Sequence, residues 1–239
     1  MAIKLQFTGT PYPGLRPFRY DTRTEYRDGD GKLMAIEGGF AAVERSFDAH
    51  GNEIRTTYLG IEGRPVPNRE EGFAIKHSSV DTCGREIESD FLDENGNPVR
   101  SKHGYARIRK FYNEDNEVAE EEYLDEKGQP IRSDQGYAHV SRQYDRNRNA
   151  TDERYFDEQD RALLLAGGYA EHVTHYNDHN ALVEEAFLDT NGEPVLNEHG
   201  WARQTRRYDE HNGLIEEAYS GVKGEPVLND EGYARDLHE

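Results

Sequence analysis

The sequence has only one cysteine, Cys83, so it cannot contain an internal disulfide framework. It also lacks an apolar segment at its start and any run near the roughly 18 apolar residues of a membrane span. Basic residues are scarce, since 29 Lys and Arg face 48 Asp and Glu for a net charge of -19. That charge argues against nucleic acid and anionic membranes as partners. We therefore expect a soluble cytoplasmic protein, and delivery by a route without a leader stays open.

Hydrophobic residues are also few. They make up 34% of the chain, and the mean hydropathy is -1.03. These values are typical of disordered acidic segments. However, 15 Tyr, 9 Phe and 1 Trp are too many aromatic residues for a disordered tail. The composition therefore predicts that the chain orders itself by burying aromatic side chains in a thin, repetitive core.

A Gly-aromatic-Ala triplet recurs seven times at intervals of 32 or 33 residues. Its aromatic members are Phe40, Phe73, Tyr105, Tyr137, Tyr169, Trp201 and Tyr233. Such a period indicates tandem repeats that bury their faces against one another. We predict an N-terminal cap or flexible tail over residues 1–19 and a single array over 20–239. The array contains a half repeat at 20–38, then repeats 39–71, 72–103, 104–135, 136–167, 168–199 and 200–231, and a stub at 232–239.

Each repeat contains two extended runs joined by a short turn rich in Asp, Asn and Gly, which is the pattern of a β-hairpin. The prediction is an all-β chain of tandem hairpins forming an elongated twisted sheet or solenoid. Helical repeats are the alternative, but Gly and Pro recur too often for long helices. The predicted core consists of aromatic residues at two further repeated positions, namely Phe47, Tyr58, Phe91, Tyr112, Tyr123, Tyr144, Tyr155, Tyr176, Phe187, Tyr208 and Tyr219.

Side chains two apart along a strand share a face, so charge pattern tests the register of the hairpins. Placing Tyr112 opposite Ala119 sets Lys110 against Glu121, and the same register sets Arg142 against Glu153 and Arg206 against Glu217. Ser78 then meets Ser89, whereas Thr174 with Glu185 and Arg45 with Thr56 are incomplete pairs. Repeated carboxylates are thus interpreted as a cross-strand ladder and not as catalytic groups. We predict no catalytic residue and no enzyme.

No cofactor or metal site is predicted either. His172, His175 and His179 would lie on opposite faces of a strand and in a turn, which is poor ligand geometry. The turn from Asp93 to Val99 resembles the start of a calcium loop without its downstream glutamate. Weak calcium binding at such turns stays an alternative.

The unit from Gly104 to Gln135 resembles bacterial YD-type and related short β-hairpin repeats, and the resemblance extends loosely from Gly39 to Tyr233. It implies an array of antiparallel hairpins. A second, local resemblance covers Pro11 to Phe18 (PYPGLRPF), which is similar to the segment that precedes the P-loop in bacterial STAND-type NTPases of defence and signalling systems. No Walker motif follows it in this chain.

Together these observations favour a non-enzymatic acidic scaffold that binds a protein partner, and the charge favours a basic one. Candidate partner-binding residues are those where the period is interrupted or altered. They are Tyr12, Leu15, Arg16 and Phe18 before the array, Leu163, Leu164 and Leu165 where one copy is expected to lose its second turn, and Trp201. The first alternative is a carbohydrate-binding array that uses the regularly spaced Tyr and Trp residues. The second is an enzyme with a site at one end of the array. The oligomeric state stays open.

Overall fold

The computed structural model describes residues 6–8 and 20–238, and over these residues the secondary structure consists of strands and turns. Nothing in that part of the chain is a helix capable of crossing a bilayer. The strands are β1 Gln6–Thr8, β2 Tyr20–Glu25, β3 Ala42–Phe47, β4 Glu53–Leu59, β5 Ile75–Val80, β6 Glu86–Leu92, β7 Arg107–Tyr112, β8 Val118–Leu124, β9 His139–Tyr144, β10 Ala150–Phe156, β11 Glu171–Tyr176, β12 Leu182–Leu188, β13 Arg203–Tyr208, β14 Leu214–Ser220 and β15 Arg235–Leu237.

The chain forms two compact units, one from Met1–Lys110 with Glu122–Asp134 and the other from Phe111–Glu121 with Gln135–Glu239. Within each unit the strands pair antiparallel with their neighbours in chain order, both inside a hairpin and between successive hairpins. The predicted all-β architecture of tandem hairpins is therefore confirmed. Of the two arrangements expected for it, the strand order is that of a sheet.

The register predicted from charge pattern holds through the middle of the hairpins. Arg142 faces Glu153, Arg206 faces Glu217 and Ser78 faces Ser89. Next to the hairpin turn the prediction is wrong by one residue, because Tyr144 pairs with Ala150 and not with Thr151. A β-bulge skips one residue at this position in five hairpins, namely Ile54, Ile87, Thr151, Val183 and Ile215. Such a bulge increases local twist without changing the face that the rest of the strand presents.

Successive repeats are staggered along the strand direction. Arg154 pairs with Glu171 in the next hairpin, and Glu171 pairs with Leu188. The repeat equivalent of Arg154, however, is Ala186, two residues short of Leu188. Two strand spacings combined with a two-residue shift place equivalent side chains of neighbouring repeats about 12 Å apart. A residue repeated in every copy therefore forms an oblique row across the sheet.

The segment between each hairpin and the next triplet folds back onto the sheet. After a tight turn, Pro194 bridges to Leu188, and Pro226 bridges to Ser220 in the next copy. The fold-back segment carries an apolar residue that packs inward. Val195 and Val227 contact a buried cluster of aromatic side chains. The fold-back thus covers the core, which a single open sheet would leave exposed on that face.

The core is a ladder of aromatic rings that alternates between two positions of the repeat. Ring centroids of neighbours lie 4.6–6.1 Å apart in the second unit and 4.7–5.9 Å apart in the first. The rings are Tyr26, Phe40, Tyr58, Phe73, Phe91, Tyr105 and Tyr123 in the first unit and Tyr137, Tyr155, Tyr169, Phe187, Trp201, Tyr219 and Tyr233 in the second. Each such pair adds about 0.5–1.5 kcal/mol beyond the burial of its area.

This ladder divides the aromatic residues that the sequence had assigned to the core. Those of the second strand belong to it, namely Tyr58, Phe91, Tyr123, Tyr155, Phe187 and Tyr219. Those of the first strand, Phe47, Tyr112, Tyr144, Tyr176 and Tyr208, are half-buried near the hairpin turns. There the hydroxyl of Tyr144 donates to the carbonyl of Val118, 2.7 Å away, and Tyr208 bonds in the same way to Leu182 at 2.8 Å. Tyr144 and Tyr208 therefore tie their hairpins to the preceding ones through a backbone acceptor. The triplet aromatics supply the other half of the ladder.

Steric constraints explain why Gly168 of the triplet must be a glycine. Its φ is +90°, and a Cβ built on it would meet the carbonyl oxygen of Leu196 at 2.9 Å. Both the left-handed conformation and this close approach require glycine. The positive φ recurs at all seven triplet glycines, whereas the close approach does not, since an added Cβ would meet no atom within 4 Å at Gly136, Gly200 or Gly232.

The turn between β9 and β10 provides a test of backbone strain. Arg148 adopts a φ of +71° at a position where the other copies have Gly51, Gly84, Asn116, Asn180 and Asn212. We expect Arg148→Asn to raise the free energy of unfolding by about 0.5–1 kcal/mol, because Asn tolerates this conformation better. The exposed pair of Arg148 with Glu117 contributes little that would be lost.

Urea unfolding followed by the fluorescence of Trp201, in the same unit, measures the change. The matched control is Gly192→Ala, at a φ of +81° with no atom within 4 Å of the added methyl, which should lower the same free energy by about 1 kcal/mol. A stability unchanged or lowered by Arg148→Asn would contradict this account of the turn.

An acidic groove beside Trp201

A row of buried ion pairs crosses the second unit on the same face as the aromatic ladder. The guanidinium of Arg142 donates to Glu153 of its own hairpin at 2.7 Å and to Glu121 of the previous one at 2.9 Å. Burial opposes the charge on Arg142, but these carboxylates raise the pKa of its guanidinium. The cross-strand pair inferred from the sequence is thus one link of a network that joins neighbouring repeats.

The next repeat has Thr174 in place of the arginine, and there His172 supplies the cation. Nε2 of His172 lies 2.8 Å from Glu185, and Nδ1 lies 3.8 Å from Glu153. Burial alone would lower the pKa of His172, but the two carboxylates override it and raise that pKa to about 9. In return, His172 and Arg142 lower the pKa of Glu153 to about 2. The pairing of Glu185 that seemed incomplete in the sequence is therefore completed from a different strand position.

A groove opens on this face where the ladder passes Trp201. Two adjoining cavities of 410 and 290 Å³ share Glu185, His199 and Trp201 as lining residues. Glu185 and Glu217 in its wall are already paired, with His172 at 2.8 Å and Arg206 at 2.6 Å. Three further carboxylates line the groove without a Lys or Arg partner among residues 20–238, namely Glu198, Asp230 and Glu231. The groove thus carries an excess of negative charge.

Trp201 is 7% exposed, and its ring is enclosed in the ladder between Phe187 and Tyr219. Its indole N–H has no hydrogen-bond acceptor among residues 20–238. Within that range, the one fully buried side-chain nitrogen or oxygen that lacks a hydrogen-bond partner is Nε2 of His139. The indole nitrogen of Trp201, which also lacks a partner, is therefore not fully buried and keeps some contact with solvent. The indole N–H is therefore a donor without a partner among those residues, on a ring that lines both cavities of the groove. The unusual residue of the triplet series is a core residue that also lines the groove.

The three leucines that the sequence singled out have separate environments. Leu163 and Leu165 are half-buried, and their amides bond back to Tyr155 and Tyr169. Leu164 is 50% exposed, and so are its repeat equivalents Leu196 (45%) and Leu228 (64%). We call these three side chains the leucine row. The expected loss of the second turn in this copy does not occur, since Asp160, at a φ of +59°, takes the place of the usual glycine.

Other candidate residues are placed as follows. Tyr12, Leu15, Arg16 and Phe18 lie outside the described residues. His172 and His175 lie on opposite faces of β11, and His179 lies in the following turn. Among the described residues no group of three or more His, Cys, Asp or Glu side chains is arranged to hold a metal ion.

The turn that resembles a calcium loop uses its first carboxylate internally. One oxygen of Asp93 accepts backbone N–H bonds from Asn95 and Asn97, both at 2.8 Å. Hydrogen bonds from Asn97 and Asn95 lower the pKa of Asp93. The recurring Asp at the start of these turns therefore shapes the backbone.

The His172 network predicts a pH-dependent stability. The folded pKa of His172, about 9, lies above its ordinary 6.5, so its contribution is complete below pH 6.5 and lost as the pH rises through 9. We expect the free energy of unfolding to fall by up to about 3 kcal/mol between pH 6.5 and 9.5.

His172→Gln is the matched variant, because Gln204 fills the same position in the next repeat. In this variant the fall over that interval should be smaller by a similar amount, as measured by urea unfolding at each pH. Parallel pH profiles for the two proteins would rule out the histidine as the cause.

No family model matches the chain, and no curated protein matches it. Among solved structures, one that matches is titled "Crystal Structure of TcdB2-TccC3-TEV", with a TM-score of 0.35 and 12% sequence identity. The match covers 92% of this chain and 11% of that one, so the chain spans about a tenth of the length of this neighbour. A likeness at this TM-score carries no argument about function. The resemblance to YD-type repeats thus extends to repeated antiparallel hairpins and no further.

Proposed function

We propose that the chain is a non-catalytic repeat scaffold that binds a protein partner through the second unit. The observation that supports this most directly is the leucine row. Leu164, Leu196 and Leu228 are large apolar side chains left in water at the same position of three successive repeats. The same position in the first unit is occupied by Ala35, Pro67, Arg100 and Arg132, none of which is a large apolar side chain. Apolar surface that recurs in a row is typical of interaction sites, whereas scattered single residues are not.

Charge defines the kind of partner. The carboxylates of the acidic groove come two or three residues after the leucines along the chain. Glu198 follows Leu196, and Asp230 and Glu231 follow Leu228. A partner segment that covers the row therefore passes beside carboxylates that have no Lys or Arg partner. A basic amphipathic segment satisfies both features, since its apolar residues cover the leucines and its charges meet the carboxylates.

A carbohydrate-binding array is the second candidate, and the packing of the rings disfavours it. Sugar binding by stacking needs an aromatic face open to solvent. The rings at the repeated positions instead pack against one another, and Trp201 with Tyr155, Phe187 and Tyr219 is at most 8% exposed. Their faces are therefore used within the protein.

Non-catalytic behaviour is supported by the way the repeated carboxylates are used. Three glutamates recur at one position of the repeat, and each is paired with a basic side chain. The pairs are Glu153 with Arg142, Glu185 with His172 and Glu217 with Arg206. Acid–base catalysis instead requires carboxyl groups in unequal environments within one pocket. A setting in bacterial defence or signalling rests on the resemblance of Pro11 to Phe18 alone.

The proposal predicts a partner whose binding depends on the leucine row. The variant Leu164→Ser, Leu196→Ser and Leu228→Ser should keep its fold, because exposed substitutions change stability little, and should bind that partner at least tenfold more weakly. Proteins captured from the host by the full chain would be identified, purified and measured by calorimetry against both forms.

The matched control removes exposed apolar side chains outside the row, Met34→Ser, Ile61→Ser and Val222→Ser. It should bind the purified partner within about twofold of the original affinity, because these residues lie apart from the row. Equal binding by the row variant and the unsubstituted chain would sink the proposal.

A further inference from the structure

We infer that the groove beside Trp201 is a binding site for an arginine- or lysine-containing peptide segment, with the cationic side chain held by Glu198, Asp230 and Glu231 and a peptide carbonyl accepting from the indole N–H of Trp201. This inference rests on the proposed function and assigns the groove to the basic part of the partner. The leucine row would bind the apolar part.

The acidic side of the groove favours a cation. Glu198 and Asp230 have side chains that are 68% exposed, and Glu231 is also exposed, so all three reach solvent above the buried ladder. The neighbouring bases do not neutralise them, because Arg206 is held by Glu217 at 2.6 Å and His172 by Glu185 at 2.8 Å. Nδ1 of His199 contacts Asp230 at 2.6 Å and leaves the second oxygen of that carboxylate available.

The tryptophan is an independent indication of a ligand. Its side chain is more than nine-tenths buried and lines both cavities, and its indole N–H has no acceptor among residues 20–238. By contrast, the side-chain nitrogen of the neighbouring Gln204 is used within the protein. The side-chain amide of Gln204 donates to Glu217 and to the hydroxyl of Tyr219, at 3.2 and 2.8 Å. Solvent can satisfy this donor while the groove is open, so an occupant that covers it must offer a hydrogen-bond acceptor in exchange.

The two features together select a peptide. A metal ion or a polyamine supplies positive charge but no acceptor for the indole N–H. A neutral glycan supplies acceptors but no charge for three carboxylates. A peptide segment with Arg or Lys carries both within one residue, since the backbone carbonyl and the cationic head are joined by a side chain several ångströms long. The volume of the two cavities, 410 and 290 Å³, accommodates such a side chain and its adjoining backbone.

The test uses the full chain and the single tryptophan as its reporter. The chain has one Trp, so its indole N–H gives one isolated resonance in a ¹H–¹⁵N spectrum. Titration with an acetylated, amidated tri-arginine peptide should move that resonance saturably, and the affinity should fall as salt is raised. Spermine should bind without the shift that a new hydrogen bond to the indole produces. Maltohexaose should not bind.

Three variants locate the site by calorimetry with the same peptide. Glu198→Gln with Asp230→Asn and Glu231→Gln should weaken binding at least tenfold. The matched control neutralises three exposed carboxylates outside the groove, Asp178→Asn, Glu193→Gln and Glu210→Gln, and should stay within about twofold. Trp201→Phe keeps a ring that the ladder accepts at Phe40 and Phe73, and should weaken binding about threefold or more by loss of the donor.

Each outcome decides the inference. An unmoved indole resonance with the tri-arginine peptide, or equal losses in the groove and control variants, would overturn it. A response to maltohexaose in place of the peptide would also overturn it and assign the groove to a glycan. A chain that loses its host partner on substitution of the leucine row, but does not bind tri-arginine, would keep the proposed function and discard the groove as its basic site.

Discussion

The contact between successive aromatic rings is the interaction on which the rest of this structure depends. A single sheet has no second layer, and with 34% hydrophobic residues the chain cannot build one. The ladder solves this because each ring packs on one ring of its own repeat and one of a neighbouring repeat, as Tyr169 does with Phe187 and Tyr155. A repeat taken alone would lose one of these two contacts. Stability therefore arises between neighbours, as in other repeat proteins.

The ion pairs beside the ladder follow the same rule but vary in chemistry. A glutamate that is half-buried beside the rings needs a cation, and different copies supply it from different strands. Arg142 bridges two glutamates, His172 replaces a missing arginine, and in the first unit Lys76 and Lys110 both contact Glu86 and lower its pKa to about 2 against the effect of its burial. Glu86 occupies a different repeat position, since Ser89 is the equivalent of Glu153, so what these copies share is a cation beside each half-buried glutamate.

Much of this could be predicted from the sequence, for a physical reason. Period 32 and the two-residue alternation of strands are sufficient to align Arg142 with Glu153, because both faces of a hairpin are set once one pair is aligned. The bulge at Thr151 could not be derived, since it depends on how the turn from Asp145 to Asn149 closes. The sequence also could not predict which aromatic residues join the ladder and which lie near the hairpin turns. That outcome depends on the fold-back segment, whose inward residues, such as Val195, have no distinctive sequence pattern. The unpaired indole N–H of Trp201 could not be predicted either, because it depends on the packing around the ring and no sequence pattern indicates it.

The distinction between regular and irregular positions also separates structure from function in this chain. Positions that hold the ladder vary within narrow chemical limits, because each ring must fit two neighbours. The position of Leu164 has no such limit, since its side chain points to solvent and could be polar in every copy. In the first unit it is alanine, proline or arginine, and Arg100 there pairs with Glu126 at 3.0 Å. Three leucines in succession at a position that packing does not constrain gain nothing for the fold, and the proposed partner binding rests on this observation. A partner that covers them is the explanation that this physical argument supports.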